Sequence, residues 1–381
     1  MTTLVARRRL LLALPALAAG RAAGAQVDDT APRVVPRPLQ FPRDFGAHPE
    51  FRTEWWYATG WLHADDAADR AGAPTFGFQL TFFRSRAAHA GAWADNRSRF
   101  APRQLLFAHA ALTDLREGRL RHAQRIARWS GDAQAATAAA ALGDTRVHLG
   151  DWRFARDGAP ERSRYVARLG DADAGFAYEL ELATTQPLLL QGDAGFSRKG
   201  PEPSQASHYY SQPHLSVRGR LHLGSASTEV RGRAWLDHEW SETLLHPEAV
   251  GWDWIGMNLD DGGALTAFRL RRADGSTVWA GGSYRAAGGA VRSFDAGAVH
   301  FAPGRRWASA ATRASYPVQW RIDTPAGRFQ VEALLDAQEL DSRGSTGAVY
   351  WEGLSELRDA GGRRVGAGYL EMTGYAAPLR L

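Results

Sequence analysis

The sequence predicts an all-β protein of short antiparallel strands that close into barrels or sandwiches. Three observations predict it. Apolar and polar residues alternate over many short segments, as half-buried strands require. Clusters of Gly, Asp and Ser, such as Asp260-Asp261-Gly262-Gly263, separate these segments as tight turns. The helical signal is weak, because the Ala-rich stretch Asp132–Leu142 lacks the apolar stripe of an amphipathic helix. Many short strands with tight turns belong to sandwiches and barrels.

The first element along the chain is a targeting segment. Arg7-Arg8-Arg9-Leu10-Leu11 precedes an apolar stretch to Ala19, and Ala23-Gly24-Ala25 supplies the small residues that a signal peptidase accepts. The arginine pair before Leu-Leu resembles a twin-arginine signal, so residues 1–25 are expected to be removed after export to the periplasm or beyond. The sequon at Asn96 is disregarded in that bacterial-looking export context. Residues 26–50 carry Pro32, Pro36, Pro38 and Pro42 and read as an extended arm.

Strands are expected at Trp56–Leu62, Phe76–Phe83, Leu105–Leu112, Tyr178–Leu182 and Leu215–Leu221. Further strands are expected at Trp254–Leu259, Leu265–Leu270, Val318–Ile322 and Phe329–Leu334. A weak internal repeat points to duplication. Trp56-Tyr57-Ala58-Thr59-Gly60 is echoed by Trp252-Asp253-Trp254-Ile255-Gly256, and Leu80–Arg84 by Leu265–Arg269. Tyr209-Tyr210 then corresponds to Tyr350-Trp351. The polar stretch Gly195–Ser207 marks a boundary between about 195 and 235, giving domains at 51–205 and 206–381.

Composition excludes several function classes. The chain of 381 residues has no cysteine, so disulfides, thiolate metal sites and a cysteine nucleophile are ruled out. All basic residues but Lys199 are arginine, and they are scattered. Removing the four arginines of residues 1–25 takes the net charge from +5 to +1, so no basic stripe speaks for nucleic acid. Beyond residue 25 no apolar run reaches the ~18 residues of a membrane-spanning helix. The G-x-S-x-G elbow, the P-loop and the dinucleotide fingerprint are all missing.

Four clusters carry candidate chemistry. In Trp235-Leu236-Asp237-His238-Glu239-Trp240, strand alternation puts Asp237 and Glu239 on one face and His238 and Trp240 on the other. His238 beside Trp240 suits an acid, or a cation bracketed by imidazole and indole; the alternative is a His and Trp held in a core by structural hydrogen bonds. Glu54-Trp55-Trp56-Tyr57 sets a carboxylate beside three aromatics. Glu54 is either an acid of raised pKa or one half of an ion pair with an arginine such as Arg84. His208 and His214 flank Tyr209-Tyr210 but lack a zinc spacing, so no metal site is expected. Trp252-Asp253-Trp254 adds two further aromatic walls, and His109 is a lone strand histidine.

These clusters, with Gly60, Gln79, Phe82-Phe83-Arg84, Phe107-Ala108-His109, Tyr209-Tyr210-Ser211 and Gly251-Trp252-Asp253-Trp254, together resemble the carotenoid 1,2-hydratase (hydroxyneurosporene synthase) and AttH-like family from about Phe41 to Tyr375. The resemblance implies two consecutive lipocalin-like β-barrels of the calycin type, with Tyr350–Gly353 and Gly368–Tyr375 in the closing strands of the second. It implies a hydro-lyase that protonates a terminal isoprenoid double bond and lets water capture the cation, without a cofactor. His238 and Trp240 are similar to that branch's His-x-Trp. The strand similar to its Tyr-x-Asp proton source, Ala264–Arg269, carries no carboxylate, which brings the chain nearer the AttH-like branch. That branch holds exported proteins, often described as hydrolases and encoded beside ABC transporter components.

The expected assignment is therefore a hydrophobic, isoprenoid or lipid-like ligand held near the domain interface. Asp237, His238 and Glu54 are the catalytic candidates. Trp55, Tyr57, Gln79, His109, Tyr209, Tyr210, Trp240, Trp252 and Trp254 are the ligand-binding candidates. The competing expectations are a non-catalytic carrier serving an ABC transporter and a secreted hydrolase.

Overall fold

The computed structural model describes residues 32–64, 74–86, 104–243 and 245–379. The targeting segment, its cleavage site at Ala25 and the Asn96 sequon lie outside the described residues. The described residues form two large antiparallel sheets and no α-helix. Asp132–Leu142 contains only the short strand Ala138–Ala140.

The first sheet opens as a meander of β1 (Thr53–Ala64), β2 (Phe76–Arg86), β3 (Gln104–Asp114) and β4 (Arg119–Trp129). It continues through β5 (Ala138–Ala140), β6 (Arg146–Leu149), β7 (Trp152–Asp157), β8 (Arg164–Asp171) and β9 (Phe176–Ala183). The short β10 (Leu189–Leu190) and β11 (Phe196–Arg198) lean on β12 (Ala206–Leu223). β13 (Ala226–Ser241) then pairs with β12 on one side and returns to β1 on the other. The path ends at β4 and β5, which are consecutive in the chain and joined by residues 130–137. Arg125 of β4 donates to Leu149 O of β6 at 3.1 Å and lies 4.4 Å over the Trp152 ring, so side chains bridge the open seam.

The second sheet repeats this plan. β14 (Gly251–Leu259), β15 (Ala264–Arg271), β16 (Thr277–Arg285) and β17 (Val291–Phe294) form its first meander. β18 (His300–Pro303) is followed by a separate ribbon of β19 (Arg306–Ala308) and β20 (Ser315–Pro317). β21 (Gln319–Thr324), β22 (Gly327–Ala333) and β23 (Glu339–Ser342) lead to β24 (Ala348–Asp359) and β25 (Arg364–Met372). β25 closes on β14 as β13 closes on β1, and the seam again falls between consecutive strands, β17 and β18. A meander whose first strand pairs with its last is the order of an up-and-down barrel. The echoed segments occupy matching places: Trp56–Gly60 and Trp252–Gly256 on β1 and β14, Leu80–Arg84 and Leu265–Arg269 on β2 and β15.

Two expectations are corrected. The sheets part between Ser241 and Gly251 and not at 205/206, because β12 and β13 are needed to close the first sheet on β1. The arm is not simply extended. Val34, Phe45, Ala47 and Phe51 are buried in the core of the first barrel, and a 3₁₀ turn at Arg43–Phe45 bends the chain inward.

Burial along the strands shows where the barrels meet. β8 alternates, with Tyr165, Ala167 and Leu169 inside and Arg164 and Arg168 outside, as a wall facing water should. β1, β2 and β15 are buried almost throughout, because one face looks into a barrel and the other onto its neighbour. Tyr57, Trp61 and Trp235 of the first sheet pack with Trp254, Phe268, Leu354 and Tyr369 of the second. Gly77 permits this approach: a Cβ there would stand 2.6 Å from Tyr369 Oη and 3.1 Å from Leu354 Cβ. Thr113 to Gln338 (2.9 Å) and the backbone N–H of His214 to Asn258 Oδ1 (2.8 Å) add buried hydrogen bonds across the joint.

Candidate functional site

Because neighbouring strand residues point to opposite sides, β1 and β13 each serve two environments. Register places Glu54 opposite Trp240, Trp55 opposite Glu239, Trp56 opposite His238 and Tyr57 opposite Asp237. Glu54, Trp56, His238 and Trp240 point toward the interior of the first barrel, with Glu54 also at the edge of the cavity described below. Trp55, Tyr57, Asp237 and Glu239 face a cleft between the barrels.

The barrel interior is closed by the N-terminal arm. His48 stacks on Trp240 with ring centroids 3.7 Å apart and planes 5° from parallel. Its Nδ1 lies 2.8 Å from Glu54 Oε1, and its Nε2 lies 3.0 Å from Asp44 Oδ1. Glu54 also accepts from the His48 backbone N–H at 2.9 Å and from Arg84 Nε at 2.8 Å. His238 Nε2 meets Glu54 Oε1 at 3.0 Å, while its Nδ1 meets the Tyr210 hydroxyl at 3.0 Å. Burial would raise the Glu54 pKa, but the Arg84 charge and the two histidines overcome it and hold the carboxyl well below the usual range. Burial lowers the His238 pKa against the pull of Glu54.

Two expectations are therefore revised. Glu54 is the ion-pair partner of Arg84 and has no proton to give. His238 and Trp240 belong to the packed interior with Tyr210 and do not border the cleft. The donor atoms of His48, Glu54 and His238 lie within 4.8 Å of one another. They are committed to the same hydrogen bonds, and the Arg84 guanidinium beside Glu54 opposes a further cation. His208 and His214 separate, His208 packing near Trp240 and His214 meeting Gly263 O at 2.7 Å.

The cleft is a cavity of about 440 Å³, within the range of small-molecule sites. Trp55, Tyr57, Tyr209, Trp252 and Trp254 line it, joined by Phe83, Phe107 and Phe268. Asp237 is held by Tyr209 Oη at 2.7 Å, Ser211 Oγ at 2.5 Å and Trp235 Nε1 at 2.7 Å. Trp254 Nε1 in turn donates to Tyr209 Oη at 3.2 Å. Burial pushes the Asp237 carboxyl up to about 7 despite these three bonds. Gln79 and His109 sit at the joint beyond the cleft wall. Gln79 Nε2 reaches Tyr350 Oη at 3.4 Å and His109 Nδ1 reaches it at 2.8 Å, and burial keeps His109 neutral, its pKa lowered to about 3.

Two carboxylates absent from the sequence-based candidates, Glu352 and Glu371, complete the cleft. They are direct cross-strand partners on β24 and β25. Glu352 is 3% exposed. Glu371 lies deep in the molecule but opens partly onto the cavity. Burial raises both pKa values; the charge of Glu371 adds to the rise at Glu352, and the charges of Asp237 and Glu239 to that at Glu371. Tyr57 beside Glu352 and Trp252 beside Glu371 favour the charged forms but do not outweigh burial. The Glu352 carboxyl and the Tyr57 hydroxyl lie close together, yet Glu352 Oε1 and Tyr57 Oη complete no hydrogen bond of good geometry. Glu239 differs, with Lys199 Nζ at 2.9 Å and a hydroxyl donor in Ser207. The signal was present in the sequence: each glutamate interrupts an apolar strand, in Tyr350-Trp351-Glu352-Gly353-Leu354 and Tyr369-Leu370-Glu371-Met372.

The AttH-like family profile matches residues 32–375. The crystal structure of an AttH candidate from Nitrosomonas europaea shares 47% identity with a TM-score of 0.80, covering 91% of this chain and 99% of that one. Kievitone hydratase from Nectria haematococca shares the fold at 14% identity and a TM-score of 0.65, over 92% of this chain and 95% of its own. No curated protein matches this chain.

Proposed function

The chain belongs to the AttH-like family, and from the chemistry of its cleft we propose that it is a hydro-lyase adding water to a double bond of an apolar, isoprenoid-like ligand. The observation that carries this reading is an aromatic cavity lined by Asp237, Glu352 and Glu371, whose burial favours the protonated form. Hydration of an unactivated alkene needs a proton donor, a surface that tolerates the carbocation, and an apolar pocket that excludes competing water. Burial raises the carboxyl pKa of Asp237, Glu352 and Glu371, so the cleft keeps proton donors near neutrality. Trp55, Trp252, Trp254 and Phe268 supply ring faces, which attract a cation within about 6 Å. The fold shared with a protein named as a hydratase supports the same reading.

The test is incubation of the purified protein with a panel of acyclic isoprenoid alkenes in ¹⁸O-water, with mass spectrometry for the labelled alcohol. Labelled product is expected. An alkene recovered unchanged from every incubation, together with an unmodified lipid co-purifying from the native host, overturns hydration in favour of a carrier. We propose in addition that the mature protein works outside the cytoplasm. Arg7-Arg8 and the small residues to Ala25 support this. Unchanged export of a variant with both arginines replaced by lysine overturns twin-arginine routing.

A further inference from the structure

The cleft holds more than one acid, and their placement separates their roles. Asp237 is fixed by three donors, so either protonation state leaves its oxygens engaged. Glu352 and Glu371 stand directly opposite each other on adjacent strands, which brings their Cβ atoms to roughly 4.5–5.5 Å. Both side chains line the same cavity, and Glu352 Oε1 is buried without a hydrogen-bond partner. A buried carboxylate oxygen left without a donor costs free energy unless a proton or a ligand meets it.

We propose that Glu352 and Glu371 share one proton and form the acid–base pair of the cleft, one delivering that proton to the ligand's double bond and the pair then taking one back from the attacking water. This rests on the hydro-lyase reading for the reaction, though not for the shared proton. The step balances. The π bond takes the carboxyl proton, forming a C–H bond and leaving a carbocation beside two carboxylates. Water bonds to the cationic carbon, and its released proton returns to the pair. The net change is addition of one water, with no redox partner.

Each charged or titratable neighbour fits this assignment. Tyr57, from β1, presents a buried hydroxyl toward Glu352 and is itself held protonated by burial and the nearby glutamates. Tyr350 and Tyr369, on the strands of the pair, are likewise held protonated by burial, with Glu352 adding to the shift. From β13, Asp237 and Glu239 add negative charge that favours keeping the proton. Lys199 is occupied by Glu239. The arginines bordering the cleft include Arg84, spent on Glu54, and Arg86, spent on Glu242. Arg52 also borders the cleft, and its backbone N–H donates to Glu242 at 3.0 Å.

The test is a ¹³C NMR titration of the full protein labelled with [δ-¹³C]glutamate. Two side-chain carbonyl signals are expected to titrate in linked steps on the alkaline side of the other glutamates. Glu352→Gln should remove one signal and turn the other into a single simple step; Glu371→Gln should do the same reciprocally. Every glutamate titrating singly in the ordinary range overturns the shared proton, and the unmutated protein suffices for that result. With an alkene that reacts, each variant should lose at least about a hundredfold in turnover, the usual minimum weight of a positioned acid. Turnover retained by both variants but lost in Asp237→Asn overturns the assignment. Should no alkene react, the hydration step falls with the proposed function, and the titration still decides the shared proton.

Discussion

Glu54 and Glu352 are both closed off from bulk water, and their environments drive them to opposite protonation states. Glu54, in the first barrel, meets a guanidinium, two imidazoles and a backbone N–H. Glu352, in the cleft, meets a second carboxyl and an unbonded phenol. Burial pushes both toward the neutral acid, and only the partners set the outcome. A buried carboxylate therefore points to chemistry when its partners fail to outweigh the cost of burying its charge. By that criterion the Asp44–His48–Glu54–His238–Tyr210 chain fastens the arm to the barrel, and the cleft is where the proposed chemistry is placed.

The sharpest way to break the contrast is to remove the cation from the first region. Arg84 is fully buried and also donates to Gln104 Oε1 at 2.8 Å and His48 O at 2.9 Å. Arg84→Met should destabilise the protein by about 3–5 kcal/mol, because it leaves an uncompensated buried charge. Chemical denaturation measures this. A loss under about 1 kcal/mol would show that the histidines alone neutralise Glu54, and the contrast would fail.

Trp240→Ala tests the same boundary from the packing side. It removes the ring that His48 stacks on and should cost on the order of 3–5 kcal/mol. Ligand affinity in the cleft should stay within about threefold, since Trp240 lies across the sheet from it. A large loss of affinity without loss of stability would restore Trp240 to the binding site.

Much of this was legible in the sequence. The nine expected strands all fall on observed ones, because period-two alternation survives wherever one face meets water or a core. Alternation also separated Asp237 and Glu239 from His238 and Trp240, and Arg84 was named as the partner of Glu54. Which side was which could not be read. Alternation defines two faces, and over residues 234–241 both faces of β13 are buried, one by its own barrel and one by the second. The plug was hidden because residues 32–50 carry no periodicity and act through single contacts such as His48 on Trp240. Glu352 and Glu371 were passed over as parts of closing strands, since nothing local shows that β24 and β25 face the same cavity as Asp237.

The pH dependence of stability separates the two regions further. Asp237 rises from 3.8 to about 7 on folding, so its folded form binds a proton that the unfolded chain releases. Its stabilising effect is present below about pH 3.8 and is lost as pH rises toward 7. Glu54 has the opposite sign: its depressed pKa stabilises above the unfolded value and is lost on acidification. Asp237→Asn should therefore flatten the decline between pH 3.8 and 7 and leave the acid limb unchanged. Thermal denaturation across that range checks both limbs. An unaltered profile would mean that Asp237 does not titrate there.

The smallest expected effect concerns the one cleft carboxylate that resembles Glu54 in having a cation. Lys199 sits 2.9 Å from Glu239 and lies over the rings of Phe268 and Tyr209 at 4.3 and 4.7 Å. Its side chain is 17% exposed and Glu239 keeps the Ser207 hydroxyl, so Lys199→Met should cost less than Arg84→Met, about 1–3 kcal/mol. It should also affect ligands. Without the ammonium the cleft gains one net negative charge, and a protonated tertiary alkylamine, which copies the charge of a carbocation, should bind up to about tenfold tighter, equivalent to 1.4 kcal/mol. Lys199→Arg keeps the charge and a cationic face over the same rings, so its affinity should match the parent. Isothermal titration calorimetry with all three proteins separates charge from shape. Tighter binding in the Met variant alone means that cleft charge governs cation binding. Equal weakening in both variants means that Lys199 is needed for the shape of the wall, and the electrostatic contrast between the two regions would then stop at Glu352 and Glu371.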